Sequence, residues 1–240
     1  MSFNYDADGF EQFLRDMVPF TPGLMRDVAQ AELYQTCREF FERSFAWTTM
    51  VEGVAVPVGD TPSDIQLDNV IGNTGSDALY AEHIAVLNVW LGNDDEGYLP
   101  LTKLGRRPDW WTQENPKPEA WWLDQGVKNF KLYPLVSEAT TDVLRVEVAL
   151  NLKEDPSPFD RAFPSLVKER WYDTIKHGFL ARLYEHPSKP YSQPMMAERY
   201  RRKFLADIGY YAAQRKKGMN NTPNWRYPSG WTPRRRLRSG

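Results

Sequence analysis

The apolar residues of this chain change period twice, from helical to extended and back, and neither an all-α nor an all-β architecture accommodates both changes. The extended period is clearest at residues 143–153. There Leu144, Val146, Val148, Leu150 and Leu152 alternate with Arg145, Glu147, Asn151 and Lys153. A repeat of two puts the first set on one face of a strand and the second on the other, so this segment reads as part of a sheet with one wet face.

Helical period governs both ends. Phe10, Phe13, Leu14 and Met17 mark a short helix over 8–18, with Asp8 and Glu11 at capping-box spacing and Pro19 as its stop. Thr21-Pro22 then reads as a cap followed by proline at the first helical position. Leu24, Val28, Ala31, Tyr34, Cys37, Phe41 and Phe45 continue one apolar stripe as far as Trp47. The same period returns at Pro164, with Val167, Trp171, Ile175, Gly178 and Ala181 on one face, Leu180 and Tyr184 beside it, and a break at 186–190. Pro194 opens a last helix through Tyr200, Phe204, Ile208 and Tyr211. Arg215-Lys216-Lys217 at its negative pole and Gly218 as a cap are its expected end.

Between these halves the chain reads as strands and loops. Strands are expected at 53–58 and at 84–91, the latter buried on both faces, and 59–76 is expected to be loop. Asn93-Asp94-Asp95-Glu96-Gly97 turns the chain into 98–104, and Asp124-Gln125-Gly126 joins 121–123 to 127–133 as a hairpin. Two amphipathic helices make too thin a core to stand alone. The expectation is therefore an α+β protein. Residues 1–47 and 162–217 form a helical bundle, 48–161 is an inserted antiparallel β domain, and 218–240 is an extended C-terminal arm.

That arm has an unusual composition. The chain has a formal net charge of -2, yet no Asp or Glu follows Asp207, while Arg215, Lys216, Lys217, Arg226, Arg234, Arg235, Arg236 and Arg238 do. Pro223, Pro228 and Pro233 recur at even intervals among Trp225, Tyr227 and Trp231. Such a segment lacks the means to fold alone, and its rings favour cover from a partner. Three occupants suit it: single-stranded nucleic acid stacked on the rings, duplex phosphates, or a protein with apolar pockets and carboxylates. Regular proline and the Trp, Tyr and Arg content favour the protein. The chain as a whole has 9 Trp and 12 Tyr, residue types enriched at protein contacts.

Motifs for chemistry are missing from the sequence. The one cysteine, Cys37, lies in an apolar stripe, where a packing role outweighs a nucleophilic one. His83, His177 and His186 make no zinc-binding pair by spacing. Asp94-Asp95-Glu96-Gly97 lacks the alternating carboxylates of a calcium loop, and Gly72-Asn73-Thr74-Gly75 lacks the lysine of a phosphate loop. No cofactor, metal or membrane span is expected, and an acidic N-terminus with Asp6, Asp8 and Glu11 does not read as an export signal. The reading is non-enzymatic. A hydrolase built from carboxylates dispersed in sequence stays open as the alternative of another class.

Several segments together resemble the phage head-to-tail adaptor family, including the tail tubular A proteins of short-tailed phages and related prophage proteins. They are Pro22-Gly23-Leu24 with the helix ending Phe40-Phe41-Glu42-Arg43-Ser44-Phe45-Ala46-Trp47; Phe130-Lys131-Leu132-Tyr133-Pro134; the strand at 144–150; Ile175-Lys176-His177-Gly178-Phe179-Leu180-Ala181-Arg182-Leu183; and Lys189-Pro190-Tyr191-Ser192-Gln193-Pro194. The resemblance implies a structural protein of the virion neck. It would form a ring, commonly a dodecamer, dock on the portal protein, receive the next tail component, and pass DNA through its bore without holding it. Portal contact would fall to Trp225, Arg226, Tyr227, Trp231, Arg234, Arg235, Arg236 and Arg238. Another ring of the neck or tail tube is the nearest rival.

Overall fold

A computed structural model describes residues 5–6, 9–17, 20–59, 65, 67, 81–105, 114–115, 117–123, 129–153 and 163–219. In chain order its elements are β1 (Tyr5–Asp6), α1 (Gly9–Met17), α2 (Arg26–Ser44), β2 (Thr48–Ala55), β3 (Ala81–Asn93), β4 (Gly97–Pro100) and β5 (Thr102–Leu104). These are followed by β6 (Glu114–Asn115), β7 (Ala120–Trp122), β8 (Lys131–Tyr133), β9 (Leu135–Val136), β10 (Val143–Leu152) and β11 (Phe163–Pro164). The C-terminal helices are α3 (Leu166–Arg170), α4 (Tyr172–Glu185) and α5 (Pro194–Met219). The protein thus combines helices with sheets that are mainly antiparallel, the α+β class expected.

The main sheet runs β2-β10-β3-β4, all antiparallel. Of its two inner strands, β10 and β3, β10 has the strongest alternation in the sequence. Leu144, Val146, Val148, Leu150 and Leu152 are all buried, as a period of two requires. The wet face, however, covers only half of the strand. Arg145 and Glu147 are half-buried, but Ala149 packs with Ala85 and Leu87 under Phe45 and Ile84, and Asn151 is buried too. Phe45 reaches this cluster because it ends α2 in the left-handed conformation, φ 50°, its N–H donating to the Phe41 carbonyl at 2.9 Å.

Other boundaries also differ from the sequence reading. Thr21-Pro22 does not open α2. With Gly23 at φ 78° and the Leu24 N–H donating to the Thr21 carbonyl at 3.2 Å, these residues form a turn, proline and glycine taking its two central positions. The helix begins at Arg26. The strand expected at 53–58 lies earlier, at Thr48–Ala55. Gly53, at φ 71°, sits where the register to β10 shifts between Leu144 and Val146, a bulge that re-aims the strand. Helix α5 passes through Gly218 to Met219, so this glycine does not cap it. Nor is the β region wholly antiparallel. β5 pairs with β7, and β6 with β9, in parallel, which the long excursion between β5 and β7 permits.

The hairpin expected around residues 121–133 pairs as β7 with β8, Ala120 opposite Tyr133, while its turn residues Asp124-Gln125-Gly126 lie outside the described ones. The same holds for most of 59–76, including Gly72-Asn73-Thr74-Gly75.

Helices α2, α4 and α5 pack on one another, and α2 also packs on β10. The Tyr34 hydroxyl donates to the Lys153 carbonyl at 2.9 Å and the Leu150 N–H to the Trp47 carbonyl at 2.8 Å, tying helix to sheet. One cluster of buried residues runs through both, from Leu33, Phe40 and Phe41 to Val146, Val148 and Leu150. Its aromatic centre is Phe40, Phe41, Trp47 and Trp171, with the Phe41 ring tilted 5.1 Å from that of Trp47 and edge-on at 5.4 Å to that of Trp171. Among the described residues no helix is long and apolar enough to cross a membrane.

Candidate interaction surfaces

Polar groups in the helical layer are used for holding helices together. Arg182 on α4 donates to Glu39 on α2 at 2.8 Å and lies 3.5 Å from Glu32, while His186 Nε2 is 3.1 Å from Glu32. Burial opposes ionisation of Glu39, but the bonds from Arg182 and Arg43 outweigh it and hold its carboxyl below the usual range. His177 faces Asp207 across α4 and α5 at 3.4 Å. His83 is buried on β3. Among the described residues no group of His, Cys, Asp and Glu is arranged to hold a metal ion. Cys37 is fully buried, and burial pushes its thiol far above the ordinary range, so no thiolate is presented.

The acidic turn after β3 is a tied-down projection. Asn93 Oδ1 accepts the N–H groups of Asp95 and Glu96 at 3.1 and 2.7 Å, and its Nδ2 donates to Asp142 at 2.9 Å. Lys117 holds the other oxygen of Asp142 at 2.9 Å. That bond is the largest of the effects that keep the Asp142 carboxyl below the usual range, and the same bond raises Lys117. Arg145 stacks 3.7 Å from the Tyr98 ring centre and reaches Asp94 and Glu52 at 3.4 and 3.5 Å. The carboxylates here therefore order a hairpin. Leu99 at its edge is 75 % exposed.

A second surface is the outer side of α5. Tyr200, Phe204, Ile208 and Tyr211 turn inward as their spacing predicts. The residues between them, Arg199, Arg202, Lys203, Leu205, Ala206, Gly209, Tyr210 and Ala213, are exposed, Tyr210 by 58 %. Sequence reading passed over this face, although it lies half a helical turn from the apolar stripe. At the far end of α5, a groove of about 520 Å³ is lined by Ala46, Arg170, Trp171, Tyr211, Gln214 and Arg215, and Arg215 pairs with Glu147 on β10.

The residues predicted for portal contact, Trp225, Arg226, Tyr227, Trp231, Arg234, Arg235, Arg236 and Arg238, lie outside the described residues. So does Asp6's side chain. The described carboxylates whose ionisation is displaced, Glu39 and Asp142, are both shifted downward by cations. A general acid at neutral pH needs the opposite shift.

A family model described as SU10 adaptor protein matches residues 8–228, from α1 to beyond the end of α5. No curated protein sequence matches the chain.

Proposed function

Because the chain belongs to the SU10 adaptor protein family, a family of phage head-to-tail adaptors, we propose that it forms a ring beneath the portal of a tailed-phage particle and joins it to the tail. The family match carries this reading, and it extends through Trp225, Arg226 and Tyr227. In this reading 1–47 and 162–217 make the bundle, 48–161 is the insertion, and 218–240, nearly all of it beyond α5, makes the arm. The arm docks on the portal protein through Trp225, Arg226, Tyr227, Trp231, Arg234, Arg235, Arg236 and Arg238. The rings fill apolar pockets, and the arginines pair with carboxylates. The opposite face of the ring receives the next tail component, and DNA passes through the bore.

A ring suits a chain whose surfaces are unlike on different sides, because heterologous contacts close on themselves only by rotation. A net charge of -2 suits a bore that must let DNA slide, since a strongly basic lining would hold phosphates. No catalytic step is assigned.

Deleting residues 220–240 tests the arm. The shortened protein is expected to keep its thermal transition and to lose its capture by portal-bearing heads. Undiminished capture would refute the docking role. Imaging of assembled necks separates the adaptor from a tail-tube ring by the layer that contains the arm.

A further inference from the structure

We propose that the outer face of α5 receives the β3–β4 hairpin of a second copy of this chain, so that one subunit of the ring clasps the next. The inference rests on the ring reading above and names its contact.

The helix face has two parts. Arg199, Arg202 and Lys203 give it positive charge near the N-terminal end, with Glu198 bonded to Arg202 at 2.8 Å as the nearest counter-charge. Leu205, Ala206, Gly209, Tyr210 and Ala213 follow as an exposed apolar stretch. A Cβ built at Gly209 meets nothing within 4 Å, so the helix backbone there is open to close approach. Leu205 and Tyr210, both exposed, flank these small residues. Helices α2 and α4 cover the opposite side of α5, and this side is uncovered among the described residues.

The same chain carries a projection of matching character. The hairpin tip presents Asp94, Asp95 and Glu96, with Asp94 88 % exposed in its side chain. Asp94 shares Arg145 with Glu52, so Asp95 and Glu96 supply most of the tip's outward negative charge. Leu99 and Pro100 follow on β4, the outermost strand of the sheet. The tip is acidic where the helix face is basic, and each surface adds exposed apolar groups. Charge of opposite sign steers the encounter and fixes its register, while burial of Leu99 against Leu205 and Tyr210 supplies the apolar gain. The tip is already ordered by Asn93, Asp142 and Lys117, so docking orders little that is free beforehand. Because the two surfaces differ, each copy can give its hairpin to one neighbour and take another's on α5, a one-way contact that builds a ring where its rotation closes.

The test is disulfide trapping between two differently tagged variants, Leu99→Cys and Ala206→Cys, the native Cys37 being buried. The variants are mixed free in solution and on portal-bearing heads. Mixed dimers are expected to exceed both like-with-like dimers by at least about tenfold, the ratio that 1.4 kcal/mol of preference gives. Adding Arg199→Glu, Arg202→Glu and Lys203→Glu to the helix variant should abolish trapping. Adding Asp94→Lys, Asp95→Lys and Glu96→Lys to its partner should restore it, which a mere folding defect would not allow. Absence of mixed dimers both free and on heads overturns the proposal. So does trapping of Ala206→Cys with itself, or slow thiol labelling of that variant when dilute, which would mean that its own arm covers α5. Unmodified protein that captures heads while trapping fails leaves the adaptor reading standing and removes only this contact. Failure of the unmodified protein to capture heads removes the adaptor reading itself.

Discussion

Gly178 offers the sharpest test of how the helices meet. It lies on α4 where α2 and α5 both approach, and a Cβ there would stand 2.6 Å from Thr36 Cγ2 and 2.8 Å from the Phe204 ring. Ordinary carbon contacts are about 3.5–4.0 Å, so both neighbours would have to move. Neither is free to do so. The Thr36 hydroxyl donates to the Glu32 carbonyl at 2.7 Å, which fixes its rotamer, and Phe204 is buried. Overpacking of this kind costs about 1–3 kcal/mol. Alanine returns about 0.8–1.0 kcal/mol of helix propensity. With two held neighbours struck at once, the overpacking cost falls in the upper part of its range, about 2–3 kcal/mol. Gly178→Ala should therefore destabilise by about 1–2 kcal/mol net, which lowers the melting temperature by about 2–8 °C in a chain of this size. Thermal and urea unfolding of purified protein read this directly. Gly209→Ala, the same change on an open face, should instead stabilise by about the propensity difference. Thr36→Ser removes the clashing methyl and keeps the hydroxyl, so the double variant should recover at least about 0.5 kcal/mol relative to additivity. A Gly178→Ala protein as stable as the original, or strict additivity with Thr36→Ser, would refute the close crossing.

Two more outcomes follow from the core and the hairpin. Phe41→Ala empties a site bounded by Phe40, Trp47 and Trp171 and should cost about 3–5 kcal/mol in urea unfolding. Asp142 is held below its ordinary pKa, so its stabilising contribution is complete above about pH 3.9 and is lost as pH falls through the lower folded value. Asp142→Asn should flatten that acid limb of the stability curve. Lys117 is raised by the same pair, so its contribution is present below the ordinary lysine pKa and is lost as pH rises through the folded one.

Much of the fold was legible because amphipathic period reports which side of an element avoids water. The stripes through Phe13, through Tyr34, Cys37 and Phe41, and through Phe204 and Ile208 mark the helices that form, although Leu33 and Phe40, which share the buried face of α2, stand outside the stripe read there. The alternation from Leu144 to Leu152 marks β10, an inner strand of the main sheet. Equally, the unbroken positive charge after Asp207 and the spaced prolines are properties of composition, and they single out the arm without any coordinates.

What covers each side is another matter, because it depends on residues far apart in the chain. Ala149 and Asn151 occupy the polar side of their repeat, yet Phe45 and Ile84 are brought over that end of the sheet, so both faces are dry there. Thr21-Pro22 has the local signature of a helix start, but Gly23 bends the chain first and α2 begins only at Arg26. The parallel pairing of β5 with β7 has no local signal, since it is a choice among strand edges made after the chain has collapsed. Gly178 reads as one more small residue in a stripe until two other helices arrive against it. The outer face of α5 and the tip that bears Leu99 likewise became candidates for contact only when packing showed which surfaces the described residues leave uncovered. Local pattern thus settled the elements and their wet and dry sides, whereas contacts distant in sequence decided where they end, what they face and which of them remain open to a partner.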